Sequence, residues 1–597
     1  MNRIVYFLFV LLGLYSCREA EKQTAERKPN VILVITDDQG YGDLACHGNT
    51  EIKTPHMDRL HGESWRFTNF HVGPTCAPTR AGLMTGRTAN RTGVWHTVMG
   101  RSILFEDELT MPHIFQKNGY ATGMFGKWHL GDNTPYRPHE RGFDQAFYHG
   151  GGGVGQTPDY WNNDYFDDTY FRNGVPEKTT GYCTDVWFDE AISFIEQNKE
   201  KPFFCYLSTN APHGPLHVEE KYSDPYVKAG VPKERAKFYG MISQLDERLG
   251  GLRTKLEELD IADNTVFIFM TDNGTAYGAA FDKKGNLKNG YNAGMQGKKG
   301  SPYEGGHRVP FFVHFPEGGM NSARDLDFLT GNVDVLPTLL SLCGLSKNGG
   351  LPLDGIDLLN TSDEEIEERI LITDSQRIAV PKKWKSSATM QGKWRLINGE
   401  KLYNLEEDPG QHNDIAMDHP AMVEKLKAAY EKWWDSQTHR FDKYAYIPVG
   451  EGKEVCLTAH DWYTTAEKGL PWNQVLIRKG LEKNGKWQLD VKKAGNYKVV
   501  LNRWPQESGL AINAQAPDKE AVPGEYPFKN AIAFDFVRGE LKVGNHKMEK
   551  RLKPSDAYLE FEVPLTEGPT TLESTLWTRD GKSLGAYYAY VSLIESI

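Results

Sequence analysis

Four short stretches of the chain, three of them apolar without interruption, stop abruptly at polar residues. Val31-Ile32-Leu33-Val34-Ile35 runs into Thr36-Asp37-Asp38, and Val266-Phe267-Ile268-Phe269-Met270 runs into Thr271-Asp272-Asn273-Gly274. Residues 121–125 lead into Gly126-Lys127-Trp128-His129, and Phe203-Phe204-Cys205-Tyr206-Leu207 leads through Thr209-Asn210 to His213. Runs of this length with no alternation predict strands buried on both faces, as in a parallel sheet covered by helices. Between them Phe238, Met241, Ile242, Leu245, Leu249, Leu252 and Leu256 recur at helical spacing, which predicts a core-packed helix. The segment 334–340 is similar in character. From these the first and largest unit, 30–373, is predicted to be α/β.

The pattern then changes twice. After Asp374 the pair Asn398-Gly399 separates Trp394-Arg395-Leu396-Ile397 from Lys401-Leu402-Tyr403-Asn404, a strong hairpin signal, and a helix is predicted over 422–434. This gives a small α+β unit, 374–440. Beyond it the runs are short and alternating, among them 497–501, 558–563 and 586–591, and predict an antiparallel β-sandwich over 441–597. Such modules often bind sugar, but alternating aromatics are also what a sandwich core needs, so a buttressing role stands beside that reading.

Chemistry collects where the buried strands end. In open parallel sheets the carboxyl ends of the strands are where sites assemble, so Asp37, Asp38, Asp272 and Asn273 are placed to converge on one cation. Either pair alone reads first as a helix cap or turn former, and the two pairs together with the motif below shift the reading to a metal. Four hard oxygen donors without imidazole or thiolate select calcium, then magnesium, over zinc. Lys127, His129 and His213 supply nitrogen at the other two strand ends.

A further motif changes the weight of these residues. Cys76-Ala77-Pro78-Thr79-Arg80 continues through Leu83-Met84-Thr85 to Gly86-Arg87. Pro78 in a first helical turn puts the Cys76 sulfur at the positive end of a helix dipole, a place for an anion. An isolated cysteine would read as a small buried hydrophobe. The whole motif resembles the signature of the type I, formylglycine-dependent sulfatases, and the segment from Gly297 to Gly306 resembles that family's lysine- and glycine-rich segment, with Lys299 aligned to its active-site lysine and Pro302 where Thr is frequent. Leu402-Tyr403-Asn404-Leu405 with Asp408-Pro409 resembles the family's carboxyl-terminal subdomain, and the resemblance ends near residue 440.

The resemblance implies an alkaline-phosphatase-like α/β/α sandwich, calcium, and a maturation enzyme that oxidises Cys76 to formylglycine. The hydrated aldehyde would carry the nucleophilic hydroxyl and join the calcium ligands. Calcium and Arg80 would hold it, Lys127, Lys299 and His213 would surround the sulfate, His129 would take a proton from the second hydroxyl, and His213 would protonate the leaving sugar oxygen.

The formal charge of −11 over 597 residues excludes nucleic acid as a natural partner and requires local cations if the substrate is anionic; Arg80, Lys127 and Lys299 meet that requirement. The charged start and short apolar run of 1–17 read as an export signal, too short to span a membrane. Leu14-Tyr15-Ser16-Cys17 resembles a bacterial lipobox, with 18–29 as a tether; the alternative is an ordinary cleaved signal. These readings give an exported protein, periplasmic or lipid-anchored in a bacterial membrane. Seven cysteines scattered through the chain do not suggest a disulfide framework.

The segment from Phe147 through Gly150-Gly151-Gly152-Gly153-Val154-Gly155 to Trp161 and Asp168 mixes glycines, aromatics, amides and carboxylates, and predicts a sugar-recognition loop with Trp161 as the stacking residue. An ordinary surface insertion has the same composition. The substrate expected is a sulfated glycan attacked exo-wise, with galactose or N-acetylgalactosamine sulfates favoured by family likeness. The rivals are a phosphatase or phosphodiesterase of the same superfamily, against which Cys76 speaks, and a non-catalytic glycan-binding lipoprotein.

Overall fold

The computed structural model describes residues 27–283, 285–452, 454–464, 469–519 and 528–596. The export signal, the Cys17 lipobox and most of the tether therefore lie outside the described residues. Among the described residues no helix is long and apolar enough to cross a membrane.

The first unit is built on a ten-stranded mixed sheet. Across it the strands run Arg324–Leu326, Trp65–Phe67, Phe311–His314, Thr265–Thr271, Asn30–Thr36, Phe203–Ser208, Ala121–Lys127, Gln145–His149, Thr169–Arg172 and Val175–Lys178. The five central strands from Thr265–Thr271 to Gln145–His149 are parallel; antiparallel pairs appear on either side. All four predicted strands are among these five.

Alternation within Asn30–Thr36 divides the core in two. Ile32 and Val34 face a cluster that includes Trp187 of helix Cys183–Asn198 and Leu245 and Leu249 of helix Lys233–Glu258. Val31, Leu33 and Ile35 face a second cluster with Ala77 and Leu83 of helix Cys76–Thr85 and Leu336 of helix Val335–Leu342. A strand whose two faces are both roofed by helices has no polar face, which is why its sequence does not alternate. The result is the α/β/α sandwich.

A four-stranded antiparallel sheet follows, Ile370–Asp374, Ser387–Gln391, Trp394–Ile397 and Lys401–Asn404, with helix Pro420–Asp435. Asn398 (φ 53°) and Gly399 (φ 70°), both left-handed, are the central residues of a tight turn closed by Glu400 N–H to Ile397 O at 3.0 Å, as the Asn-Gly signal predicts. The last unit holds two sheets. One orders Ile447–Val449, Lys486–Val491, Gly568–Thr578, Phe536–Val543 and His546–Arg551; the other orders Val455–Thr458, Tyr588–Ser596, Gly495–Asn502 and Leu559–Leu565. Their shared core includes Trp487, Leu501, Phe561 and Leu576. Except for the short parallel edge pair Ile447–Val449 with Lys486–Val491, the pairing is antiparallel.

Candidate active site

Four neighbouring parallel strands deliver their carboxyl ends to one place: Asp37 and Asp38 after Asn30–Thr36, Asp272 and Asn273 after Thr265–Thr271, Lys127 at the end of Ala121–Lys127, and His213 in the loop after Phe203–Ser208. Helix Cys76–Thr85 points its first residue at the same spot. All ten of its residues are buried, and it ends at Gly86, whose left-handed backbone (φ 65°) lets its N–H return to Gly82 O at 2.8 Å. Pro78 sits in the first turn, where its missing N–H costs nothing.

The charged side chains form three buried pairs. Lys127 Nζ donates to Asp37 Oδ2 at 2.6 Å, Arg80 Nη2 to Asp272 Oδ2 at 2.8 Å, and Lys299 Nζ to Asp38 Oδ1 at 2.5 Å. Arg80 is further fixed by the Ser208 hydroxyl and by the Tyr206 hydroxyl at 3.3 Å. Asp38 adopts a left-handed backbone (φ 68°), a strain of about 1–2 kcal/mol, while its N–H donates to Asp272 Oδ1 at 3.0 Å and its Oδ1 accepts from Asn273 Nδ2 at 3.0 Å. Burial pushes the Asp272 carboxyl up to about 6, with the Asp37 charge adding to the effect and Arg80 opposing it. Asp38 goes the other way: burial would raise it, but Lys299 and His213 together hold it well below the carboxylate range.

Could these oxygens hold a metal? Asp37 Oδ1 and Asn273 Oδ1 are buried without a hydrogen-bond partner among the described residues. Ligand atoms of Asp37, Asp272 and Cys76 lie within 4.8 Å of one another, as do those of Asp37, Asp38 and His213. A donor set of hard oxygens with unengaged lone pairs fits calcium or magnesium and does not fit a tetrahedral zinc site.

The two histidines have legible tautomers, because a carbonyl oxygen only accepts. His213 Nδ1–H donates to Gly214 O at 2.6 Å, leaving the Nε2 lone pair toward Asp38 Oδ2 at 3.8 Å. Burial, with Lys299 and Lys127 adding to it and Asp38 opposing, holds this imidazole down at about 4. His129 (φ 61°) donates Nε2–H to Thr97 O at 2.8 Å, so Nδ1 carries the lone pair. Burial and the Lys127 charge keep it neutral.

Asp38, Cys76, His129, His213 and Lys299 open on a cavity of about 690 Å³. The loop carrying Lys299 is stitched in place by Lys299 N–H to Thr275 O at 3.2 Å and Gly300 N–H to Pro74 O at 2.7 Å. A buried pair, Arg395 Nε to Glu304 Oε1 at 2.7 Å, braces that loop from the small sheet. Sequence reasoning missed several lining residues: Arg377 and Lys298, which add cations, and His96, Thr97 and Tyr277. Lys298 was legible only as a neighbour of Lys299, and Arg377 sits in an irregular loop with no pattern around it.

The glycine-rich loop does reach the cavity, through residues 152–156, Asn163 and Asp164. Gly152 makes room for His129, since a Cβ there would stand 2.2 Å from the ring. Most of the loop's acids are turned inward. Asp159 accepts from the N–H groups of Gly150 and Gly155, and Asp168 from those of Asp164 and Tyr165. They brace the loop and do not offer oxygens to sugar.

Trp161 requires correction. It is buried, absent from the cavity lining, and packed into the core of the last unit, T-shaped on Trp504 (centroids 5.5 Å) with the Arg478 guanidinium over its ring at 4.8 Å. An indole enclosed on both faces has no surface for a sugar. Trp161→Ala is expected to lower the unfolding free energy by about 3–5 kcal/mol, read by denaturant melting, with the preference between a sulfated saccharide and a small aryl sulfate unchanged. A selective loss on the saccharide at unchanged stability would return Trp161 to the sugar site.

Paired cations and oxygens under a helix N-terminus, at the strand ends of an α/β/α sheet, suit the hydrolysis of an anionic ester, and the fold is alkaline-phosphatase-like. Comparison narrows the class: the chain belongs to the sulfatase family, sulfuric ester hydrolases, whose family model matches residues 29–345, just over half of it. It is 30% identical over 487 residues to an N-acetylgalactosamine-6-O-sulfatase of Bacteroides thetaiotaomicron, covering 68% of this chain and 93% of that one. It is also 30% identical over 359 residues to the human N-acetylgalactosamine-6-sulfatase, covering 56% of this chain and 66% of that one, so it spans just under two thirds of the human relative. Among solved structures it is similar to Ps i-CgsB (TM-score 0.61, 28% identity, 70% of this chain and 95% of that one), which has also been solved in complex with k-i-k-neocarrahexaose (TM-score 0.60, 29% identity, 69% of this chain and 94% of that one).

Proposed function

We propose that the protein is an exported bacterial enzyme that hydrolyses sulfate monoesters at the end of a sulfated glycan. The observation that carries this reading is the convergence of Cys76, at a buried helix N-terminus, with three cation–carboxylate pairs, one of which, Lys299–Asp38, lines the same cavity as Cys76. The N-acetylgalactosamine in the names of two relatives favours N-acetylgalactosamine sulfates, with galactose sulfates beside them as the parent sugar, and a pocket walled on several sides favours a chain end over a chain interior.

Asp37, Asp38, Asp272 and Asn273, with the side chain at position 76, are the residues that would hold calcium, which when bound supplies positive charge against the sulfuryl oxygens and the nucleophile. Formylglycine made from Cys76 by a maturation enzyme supplies the hydroxyl nucleophile. Arg80 is locked by Asp272, Ser208 and Tyr206 and orients the side chain at position 76. Lys127 and Lys299, each paired with a carboxylate of the oxygen cluster, would hold the sulfate, and Lys298 and Arg377 add charge to the cavity lining. His129 takes a proton at Nδ1, the atom that its bond to Thr97 leaves open. His213 is neutral in the free protein, and an entering sulfate ester, a monoanion, favours protonation at Nε2, which turns it into the acid for the departing sugar oxygen.

A phosphatase reading finds no support in the ligands, because the oxygen cluster includes one histidine at most. The deciding experiment is a screen of matured enzyme against defined sulfated saccharides. Release of sulfate from a terminal galactose- or N-acetylgalactosamine-type unit is expected; activity confined to small aryl or lipid sulfates would overturn the glycan assignment.

A further inference from the structure

The aromatic surface expected from Trp161 exists, but another part of the chain supplies it. Trp472, Asn473, Val475 and Phe528, all from the last unit, line the same cavity as Cys76, His213 and Lys299. None of the four carries a charge. Trp472 is only half-buried, resting one side on the sandwich core and leaving the rest toward the cavity. Tyr277 lines the cavity from the catalytic unit.

The placement of this wall is fixed by many bonds to the glycine-rich loop. Thr157 N–H donates to Trp472 O at 3.0 Å and its hydroxyl to Pro471 O at 2.6 Å, Gln474 N–H donates to Gly155 O at 3.0 Å, and Gln156 pairs with Asn473 as an isolated bridge. Arg478 donates to Asn162 Oδ1 at 2.6 Å, and Lys519 pairs with Asp164. The last unit is therefore built into the cavity wall, and it lies outside the residues 29–345 that the family model matches.

We propose that Trp472 and Asn473, with the edge that the otherwise buried Phe528 leaves on the cavity, form an outer subsite for an uncharged sugar ring next to the sulfated unit. The charged floor takes the sulfate. This part of the wall offers the aromatic face of Trp472 and the amides of Asn473 and Gln156, none of them charged, which suit the apolar face and hydroxyls of a neutral ring. The proposal rests on the glycan reading above.

The test compares a sulfated trisaccharide, the matching sulfated monosaccharide and a small aryl sulfate on matured full-length protein. Trp472→Ala is expected to lower kcat/KM for the trisaccharide about tenfold or more, chiefly through KM, with the monosaccharide and aryl sulfate little changed. Trp472→Phe should retain most of the preference. Because Trp472 also touches the sandwich core, Phe528→Ala is made in parallel, and melting curves accompany each variant; should Trp472→Ala fail to fold, Phe528→Ala and Trp472→Phe decide. Equal losses on all three substrates, or an unchanged preference in a folded variant, overturn the subsite alone. A wild-type protein inert on both saccharides but active on the aryl sulfate overturns the glycan reading and the subsite with it.

Discussion

Cys76→Ala should abolish sulfate release from every substrate, a fall on the order of 10⁴-fold or more, while the protein stays folded. The large effect follows from the position: Cys76 is the first residue of a wholly buried helix, beside Arg80 and Lys299 and within 4.8 Å of the Asp37 and Asp272 oxygens. No other nucleophilic side chain among the cavity-lining residues shares that place. The small effect on folding follows because the substitution removes one sulfur and none of the three ion pairs, whose loss would cost about 3–5 kcal/mol each. Mass spectrometry of the peptide spanning position 76 from native cells should find the aldehyde or its hydrate. An unmodified thiol in protein of full activity would refute the nucleophile assignment, and full activity of Cys76→Ala would refute it directly.

Residues that follow an uninterrupted apolar run were legible because two rules act together. A strand roofed on both faces cannot alternate, and a parallel sheet gathers its functional residues at one end. Asp37, Asp38, His213, Asp272 and Asn273 met both conditions, and Lys127 the second. Cys76 and Lys299 were legible through motif alone. Trp161 was misread because an aromatic among glycines, amides and acids has the same local pattern whether it meets a sugar or Trp504, and the partner is in another unit. Asp168 was misread similarly, since a carboxylate that braces its own loop looks like one offered to a ligand. Arg377, Trp472 and Phe528 carry no periodicity and reach the cavity only through tertiary placement, which no local window contains.

Stripping divalent cations should remove most activity, and calcium should restore it better than magnesium, with zinc ineffective. Three carboxylates are buried together and three cations oppose them, yet the Asp272 carboxyl still rises to about 6, burial and the Asp37 charge together outweighing Arg80. A further positive charge among these oxygens relieves that repulsion and engages Asp37 Oδ1 and Asn273 Oδ1, which otherwise have no partner among the described residues. Two consequences can be read without any turnover assay. Calcium at a hundred times its dissociation constant should stabilise the fold by about 2.7 kcal/mol, seen as a rise in melting temperature that a chelator reverses. Because Asp272 must be ionised to bind the ion, calcium binding should release protons, and the apparent affinity should weaken as pH falls through about 6 while staying level above it. Affinity that strengthened toward acid pH, or restoration by zinc in preference to calcium, would remove the oxygen cluster as the metal site.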